Sequence, residues 1–172
     1  MLHCAHWFSD KGWNIMQKIT PCLWFDNNAE EAVQFYTSKF KDSKIQNVSY
    51  YTEEGPMPAG TVLTISFLLH GQEFLALNGG PVFKFSQAIS FVVNCDTQEE
   101  IDYLWDNLSA GGETQQCGWL IDKFGVTWQI VPRVLDEYML DKNPDKVRSV
   151  TRAMLQMVKL DMALLKQAYD QE

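Results

Sequence analysis

Residues 117–132 read CGWLIDKFGVTWQIVP. Two runs of strand-favouring residues, Gly118 to Asp122 and Val126 to Val131, flank Lys123-Phe124-Gly125, where the glycine can supply a turn. The stretch is a β-hairpin by this reading. Side chains alternate along a strand, so Thr127, Gln129 and Val131 share one face of the second strand, and Val126, Trp128 and Ile130 share the other. A strand that is apolar on one face and carries a lone amide in the middle of the other covers a core and lines something polar. Gln129 is therefore the first candidate for function.

Working back from the hairpin, Ala88 to Asn94 reads as a strand and Asp96 as the cap of a helix reaching about Leu108. Gly111-Gly112 breaks that helix, and a short strand follows around Thr114. The unit is βαβββ, and the chain ahead of it has the same order. A strand over residues 18 to 25 places Thr20, Cys22 and Trp24 on one face and Ile19, Pro21, Leu23 and Phe25 on the other. Asp26-Asn27-Asn28 supplies cap chemistry, and Ala29, Ala32, Val33 and Tyr36 recur at helical spacing up to about Phe40. Strands follow at Ile45 to Tyr51, Thr61 to Leu69 and Gln72 to Asn78. They are punctuated by the loop Thr52 to Gly60, by His70-Gly71, and by Gly79-Gly80-Pro81. Beyond Pro132 the pattern turns helical. Val134 to Met139 forms a short helix, and a longer one opens at Asn143-Pro144-Asp145 and runs to about Tyr169 on Val150, Met154, Met157, Leu160, Leu164 and Leu165.

The expected fold class is α+β, with paired βαβββ modules forming an open, cup-shaped mixed sheet and C-terminal helices. Residues 16–81 form the first module, 86–132 the second and 133–172 the helical segment, all in one domain. Residues 1–15 read as an extension outside the fold, because Met16 opens a strand-first pattern and nothing before it is periodic. Composition is ordinary for a globular chain, with 46% hydrophobic and 21% charged residues. The formal charge of −8 repels phosphate backbones and anionic lipid, which argues against nucleic-acid or membrane partners. No apolar run approaches the roughly 20 residues needed to span a bilayer. Four cysteines without CxxC spacing fit a reduced, cytoplasmic setting. The broad apolar surface of the last helix exceeds what one docking stripe needs, so a homodimer is expected.

Paired βαβββ modules resemble the vicinal oxygen chelate superfamily of glyoxalase I, extradiol dioxygenases and bleomycin-resistance proteins. The segments ITPCLWFDNNAEEAVQFY, FLALNGGPVFKFSQAISFVV, CGWLIDKFGVTWQIVP and MLQMVKLDMALLKQAY resemble its PhnB-like branch, often labelled 3-demethylubiquinone-9 3-methyltransferase. Metal-using members hold a divalent ion with four side chains from the cup strands. Those positions fall here on Pro21, near Ala76, on Ser90 and on Gln129, none of them a histidine or carboxylate. His3, His6 and His70 lie outside the predicted cup strands. The expectation is therefore a small-molecule site with no metal and no other cofactor.

Alternation places Pro21, Leu23, Ala76, Asn78, Ser90, Val92, Thr127 and Gln129 in the cup, with Asn78 and Gln129 as the leading ligand contacts. Trp24, Phe67, Phe91, Trp119 and Trp128 are candidates to stack on a ligand. Asp26, Glu73 and Asp122 are the available acids, each read as a solvated carboxylate at a turn or strand end, so no catalytic pair is identified. Three other functions are weighed against binding. A metal-dependent glyoxalase- or dioxygenase-type enzyme lacks ligands. A methyltransferase would need a donor-binding glycine loop opening a helix, whereas Gly79-Gly80 leads to proline. A drug-sequestering resistance protein fits the acidic surface.

Overall fold

The computed structural model describes residues 18–171, so the expected extension over residues 1–15 lies outside the described residues. The elements fall in two βαβββ units followed by three helices. The first unit is β1 (Cys22–Phe25), α1 (Ala29–Lys39), β2 (Lys44–Tyr50), β3 (Val62–Leu69) and β4 (Gln72–Asn78). The second is β5 (Phe91–Cys95), α2 (Gln98–Leu108), β6 (Glu113–Thr114), β7 (Trp119–Ile121) and β8 (Thr127–Pro132). Then come α3 (Val134–Met139), α4 (Pro144–Met154) and α5 (Met162–Asp170). Each unit makes one four-stranded mixed sheet, ordered β1-β4-β3-β2 and β5-β8-β7-β6. In both, the first strand returns parallel to the last, as a strand-helix-strand crossover requires.

The first strand is shorter than the sequence implies. Proline has no N–H to donate, and Pro21 joins the sheet only through its carbonyl, which accepts from Leu75 N at 2.9 Å. The cap of α2 falls one residue later than expected. Thr97 Oγ1 accepts from Glu100 N at 3.2 Å, while Glu100 Oε2 reaches back past the cap to accept from Asp96 N at 2.9 Å, a variant of the capping box.

The long C-terminal helix is in fact two. After Met154 the chain leaves helical geometry, and Cys117 N and Gly118 N each donate at 2.8 Å to the carbonyls of Met157 and Val158. The Gln98 amide holds the same segment from the other side, donating to Leu160 O at 3.2 Å and accepting from Met162 N at 2.9 Å. Asp161 then caps α5 by accepting from Leu164 N. Gly118 is required at this junction. Its φ is +80°, and a Cβ there would sit 2.6 Å from the Ile130 carbonyl.

One buried cluster runs through both units. It joins Leu23, Phe25, Ile65, Phe67 and Ala76 of the first sheet, Ala32, Val33 and Tyr36 of α1, Ile101 and Leu104 of α2, and Leu120, Trp128 and Ile130 of the second sheet. A smaller cluster of Leu135, Val150, Leu160 and Leu165 seats the C-terminal helices. Between the units, Tyr36 of α1 and Phe40, just past its end, each lie with ring centroids 5.4 Å from that of Trp128. No helix among the described residues is long and apolar enough to cross a membrane.

Candidate functional site

Burial along the strands decides which face each candidate occupies. In the first sheet Leu23, Phe25, Ile65, Phe67, Ala76 and Asn78 are all buried, on the side covered by α1. Leu23, Ala76 and Asn78 therefore belong to the interior, and the expectation that they line a cup is corrected. Asn78 is wholly buried and its side chain is fully engaged. Its Oδ1 accepts from Ala29 N at 2.9 Å, and its Nδ2 donates to Val62 O at 3.0 Å and Glu30 Oε2 at 3.1 Å. Asn28, the local cap position of α1, makes no side-chain cap bond. The first helix is thus capped from across the sheet by the last strand.

The opposite arrangement holds in the second sheet. Phe91, Val93, Trp128 and Ile130 turn inward, which leaves Val92 and Gln129 on the other face. The parallel register pairs Phe91 with Trp128 and Val92 with Gln129, so Ser90 comes beside Thr127. On the far side of β8, Trp119 pairs with Gln129 and Ile121 with Thr127. Ser90, Gln129 and Trp119 therefore fall on one face of the sheet, with Thr127 buried beside them. Gln129 Nε2 donates to Ser90 Oγ at 2.8 Å, which leaves the Ser90 hydroxyl hydrogen and a Gln129 carbonyl oxygen for a ligand. Thr127 Oγ1 is buried without a partner, alone in this among buried side-chain N and O atoms of the described residues.

Ser90 and Val92 also border a groove of about 670 Å³ at the seam between the sheets. Its lining joins the consecutive run Ser90 to Asn94, which includes Phe91, to Ile19 and Pro21 and to the rings of Phe40, Phe74 and Trp128. Pro21 and Ser90 are thus brought together, though across a groove rather than inside a cup. Polar and charged groups also line the groove. His70 arrives on the β3–β4 turn, with its ring 5.9 Å from that of Phe40. Arg133 Nε donates to Asp96 Oδ1 at 2.7 Å, and this pairing raises the guanidinium pKa further.

Sequence reasoning missed His70 and Arg133 because both lie just past strand ends, where alternation says nothing. Trp24 is tied up elsewhere, donating from Nε1 to Gly80 O at 2.8 Å. A Cβ on Gly79 would lie 2.2 Å from the Trp24 ring. Gly79 N and Gly80 N bond to the carbonyls of Phe25 and Asp26. That glycine pair closes the fold and has no amide left to cradle a methyl donor's carboxylate or ribose.

Asp122 is not a solvated turn carboxylate, and that expectation too is corrected. It is 3% exposed. Its Oδ2 accepts from Tyr36 OH at 2.7 Å and Trp128 Nε1 at 2.8 Å, and its Oδ1 from Phe124 N at 2.8 Å and Val126 N at 3.0 Å. Burial pushes its carboxyl above the usual carboxylate range, and the four donors draw it part of the way back. Burial first, and then the neighbouring Asp122 carboxylate, push the Tyr36 phenol well above its ordinary value. Tyr36 belongs to α1 and Asp122 to the hairpin, so the bond locks the two units together.

A metal of the superfamily's usual kind does not fit the donors present. Among the described residues no three His, Cys, Asp or Glu side chains come close enough to share an ion. The four positions implied for ligands carry a proline, an alanine, a hydroxyl and an amide, and the hydroxyl and amide already bond to each other.

Two βαβββ units in open four-stranded sheets, with trailing helices, define the vicinal oxygen chelate fold. A Pseudomonas aeruginosa protein of known structure shares it at 22% identity over 65% of this chain and 94% of its own, with a TM-score of 0.54. So does the genomically encoded fosfomycin resistance protein FosX from Listeria monocytogenes, at 16% identity over 74% of this chain and 99% of its own, with a TM-score of 0.50. The family described as 3-demethylubiquinone-9 3-methyltransferase matches residues 17–131, and the chain belongs to it. Within that PhnB-like family, a structure described as a putative 3-demethylubiquinone-9 3-methyltransferase, PhnB protein, from Bacillus cereus is 41% identical. The match covers 67% of this chain and 99% of that one, with a TM-score of 0.63. No curated protein matches the chain.

Proposed function

We propose that this protein binds an uncharged small molecule in the seam groove, using the Ser90 hydroxyl, oriented by Gln129, as its principal side-chain contact and no metal. One observation carries the reading. A groove of about 670 Å³, within the range of small-molecule sites and lined by four aromatic rings, presents among its lining a hydroxyl already fixed by a neighbouring amide. Trp119 shares the Gln129 face beyond the groove, and the buried Thr127 hydroxyl is a further group awaiting a partner. The aromatic residues in the lining favour a flat or ring-bearing ligand. Methyl transfer, which the family's description names, gains no support from Gly79-Gly80, and fosfomycin resistance belongs to FosX.

A homodimer is part of the proposal. Strand β2 is exposed along its whole length, with Ile45, Val48 and Tyr50 among its residues, and Val92 is exposed on the second sheet. The binding test is a calorimetric fragment screen on the wild type and on Ser90→Val and Gln129→Leu. Fragments whose affinity falls about tenfold in either variant, with unfolding unchanged, support the site. Fragments that bind both variants as they bind the wild type remove Ser90 and Gln129 from it.

A further inference from the structure

The groove touches five consecutive residues, Ser90, Phe91, Val92, Val93 and Asn94. Successive side chains of a strand point to opposite faces, so a cavity that meets all five runs along the strand's edge rather than over one face. Strand β5 is an edge strand, bonded to β8 on one side only. The phase of that bonding is fixed by Arg133 N donating to Cys95 O at 2.9 Å, which turns the polar groups of Cys95 toward β8. Backbone direction alternates with residue number, so Phe91 and Val93 also bond toward β8 while the N–H and C=O of Val92 and Asn94 point into the groove.

We infer that this free edge is itself a recognition element, and that the groove takes an uncharged peptide-like amide whose N–H and C=O pair with those of Val92. The inference rests on the groove being the binding site and adds the chemistry of the ligand. An aminoacyl unit acylated on nitrogen and amidated at its carboxyl carries one donor and one acceptor a single carbon apart, as a partner strand would present them. Its apolar side chain then meets Phe74, Phe91 and Trp128, and the Ser90 hydroxyl lies beside its acyl end. Charge at either end gains little, because the charged groups that line the groove are already engaged: Asp96 pairs with Arg133, and Glu100 accepts from the Asp96 N–H.

N-acetyl-phenylalanine amide is the probe, and its N-methyl analogue, which lacks the donor, is the control. Binding is read by calorimetry and by backbone amide NMR on the wild type, Ser90→Val and Val92→Pro. Proline at 92 deletes one of the two N–H groups that face the groove and no bond to β8, so the variant is expected to fold. The expected result is a roughly tenfold weaker complex on N-methylation, a similar loss in Val92→Pro, and shifts of the Val92 and Asn94 amide signals on adding the probe. Should Val92→Pro fail to fold, the N-methyl comparison and the wild-type shifts decide alone. If Ser90→Val weakens the probe but N-methylation does not, the edge reading is overturned while the groove stands. If the probe shifts no groove signal, the edge reading falls, and fragments from the binding screen decide the groove separately. Val92 and Asn94 amides already protected from exchange without ligand, and losing that protection on dilution, would assign the edge to a second copy and overturn the inference.

Discussion

Asn78 and Asp122 are two buried polar residues with opposite histories in the sequence. Asn78 reads as a ligand contact because it ends an alternating strand, and nothing local reveals that α1 lacks its own cap and draws on an amide 49 positions away. Replacing Asn78 by alanine leaves Ala29 N–H and Val62 O without partners, and we expect a loss of about 2–4 kcal/mol in urea denaturation with fragment binding unchanged. Asp122 reads as a solvated turn residue, yet its neighbours Tyr36 and Trp128 supply donors that only the assembled fold brings together. Whichever way its amide turns, asparagine at 122 would set its NH₂ against two of the four donors, so Asp122→Asn is expected to cost about 3 kcal/mol, and a double-mutant cycle with Tyr36→Phe should show coupling above about 0.5 kcal/mol.

Titration of this pair has a definite sign. The folded Tyr36 phenol keeps its proton beyond the ordinary tyrosine value of about 10, at which the unfolded chain ionises. Its contribution is therefore intact below pH 10 and lost as pH rises above it. Melting temperature measured from pH 8 to 11 should fall more steeply for the wild type than for Tyr36→Phe. Equal slopes would show that the phenol does not hold its proton in the folded state.

Among elements, the hairpin that closes the second unit was legible because turn chemistry and two-residue alternation agree there. The two C-terminal helices were not, since Leu155, Met157, Val158 and Leu160 continue the apolar run of α4 without a breaker. The break is imposed from outside, by backbone pairing with Cys117 and Gly118 and by the Gln98 clamp. Gln98→Ala should cost about 1–2 kcal/mol. It should also speed hydrogen exchange at Gly118 and Met162 while amides of β3 and β4 stay protected. Uniform loss of protection would mean that the C-terminal helices and the sheets unfold as one unit.

For the whole molecule, the paired modules were legible because the βαβββ order occurs twice, whereas the way the modules meet was not. Pattern reasoning assigns each strand two faces but does not say which one a neighbouring unit will cover. That is why alternation alone places Leu23, Ala76 and Asn78 in a cup although they lie in the core. The groove, likewise, draws its lining from both sheets and from residues just past strand ends. Exposure of β2 and Val92 predicts a dimer, to be checked by sedimentation at several concentrations, where a single monomeric species throughout would contradict it. Binding in the seam groove without a metal is tested most directly by a backbone amide NMR titration of metal-free protein with the best-binding fragment. The predicted result is saturable shifts confined to Ser90–Asn94, His70 and Arg133. Shifts centred instead on the β2 face, or appearing only when a divalent metal is added, would contradict it.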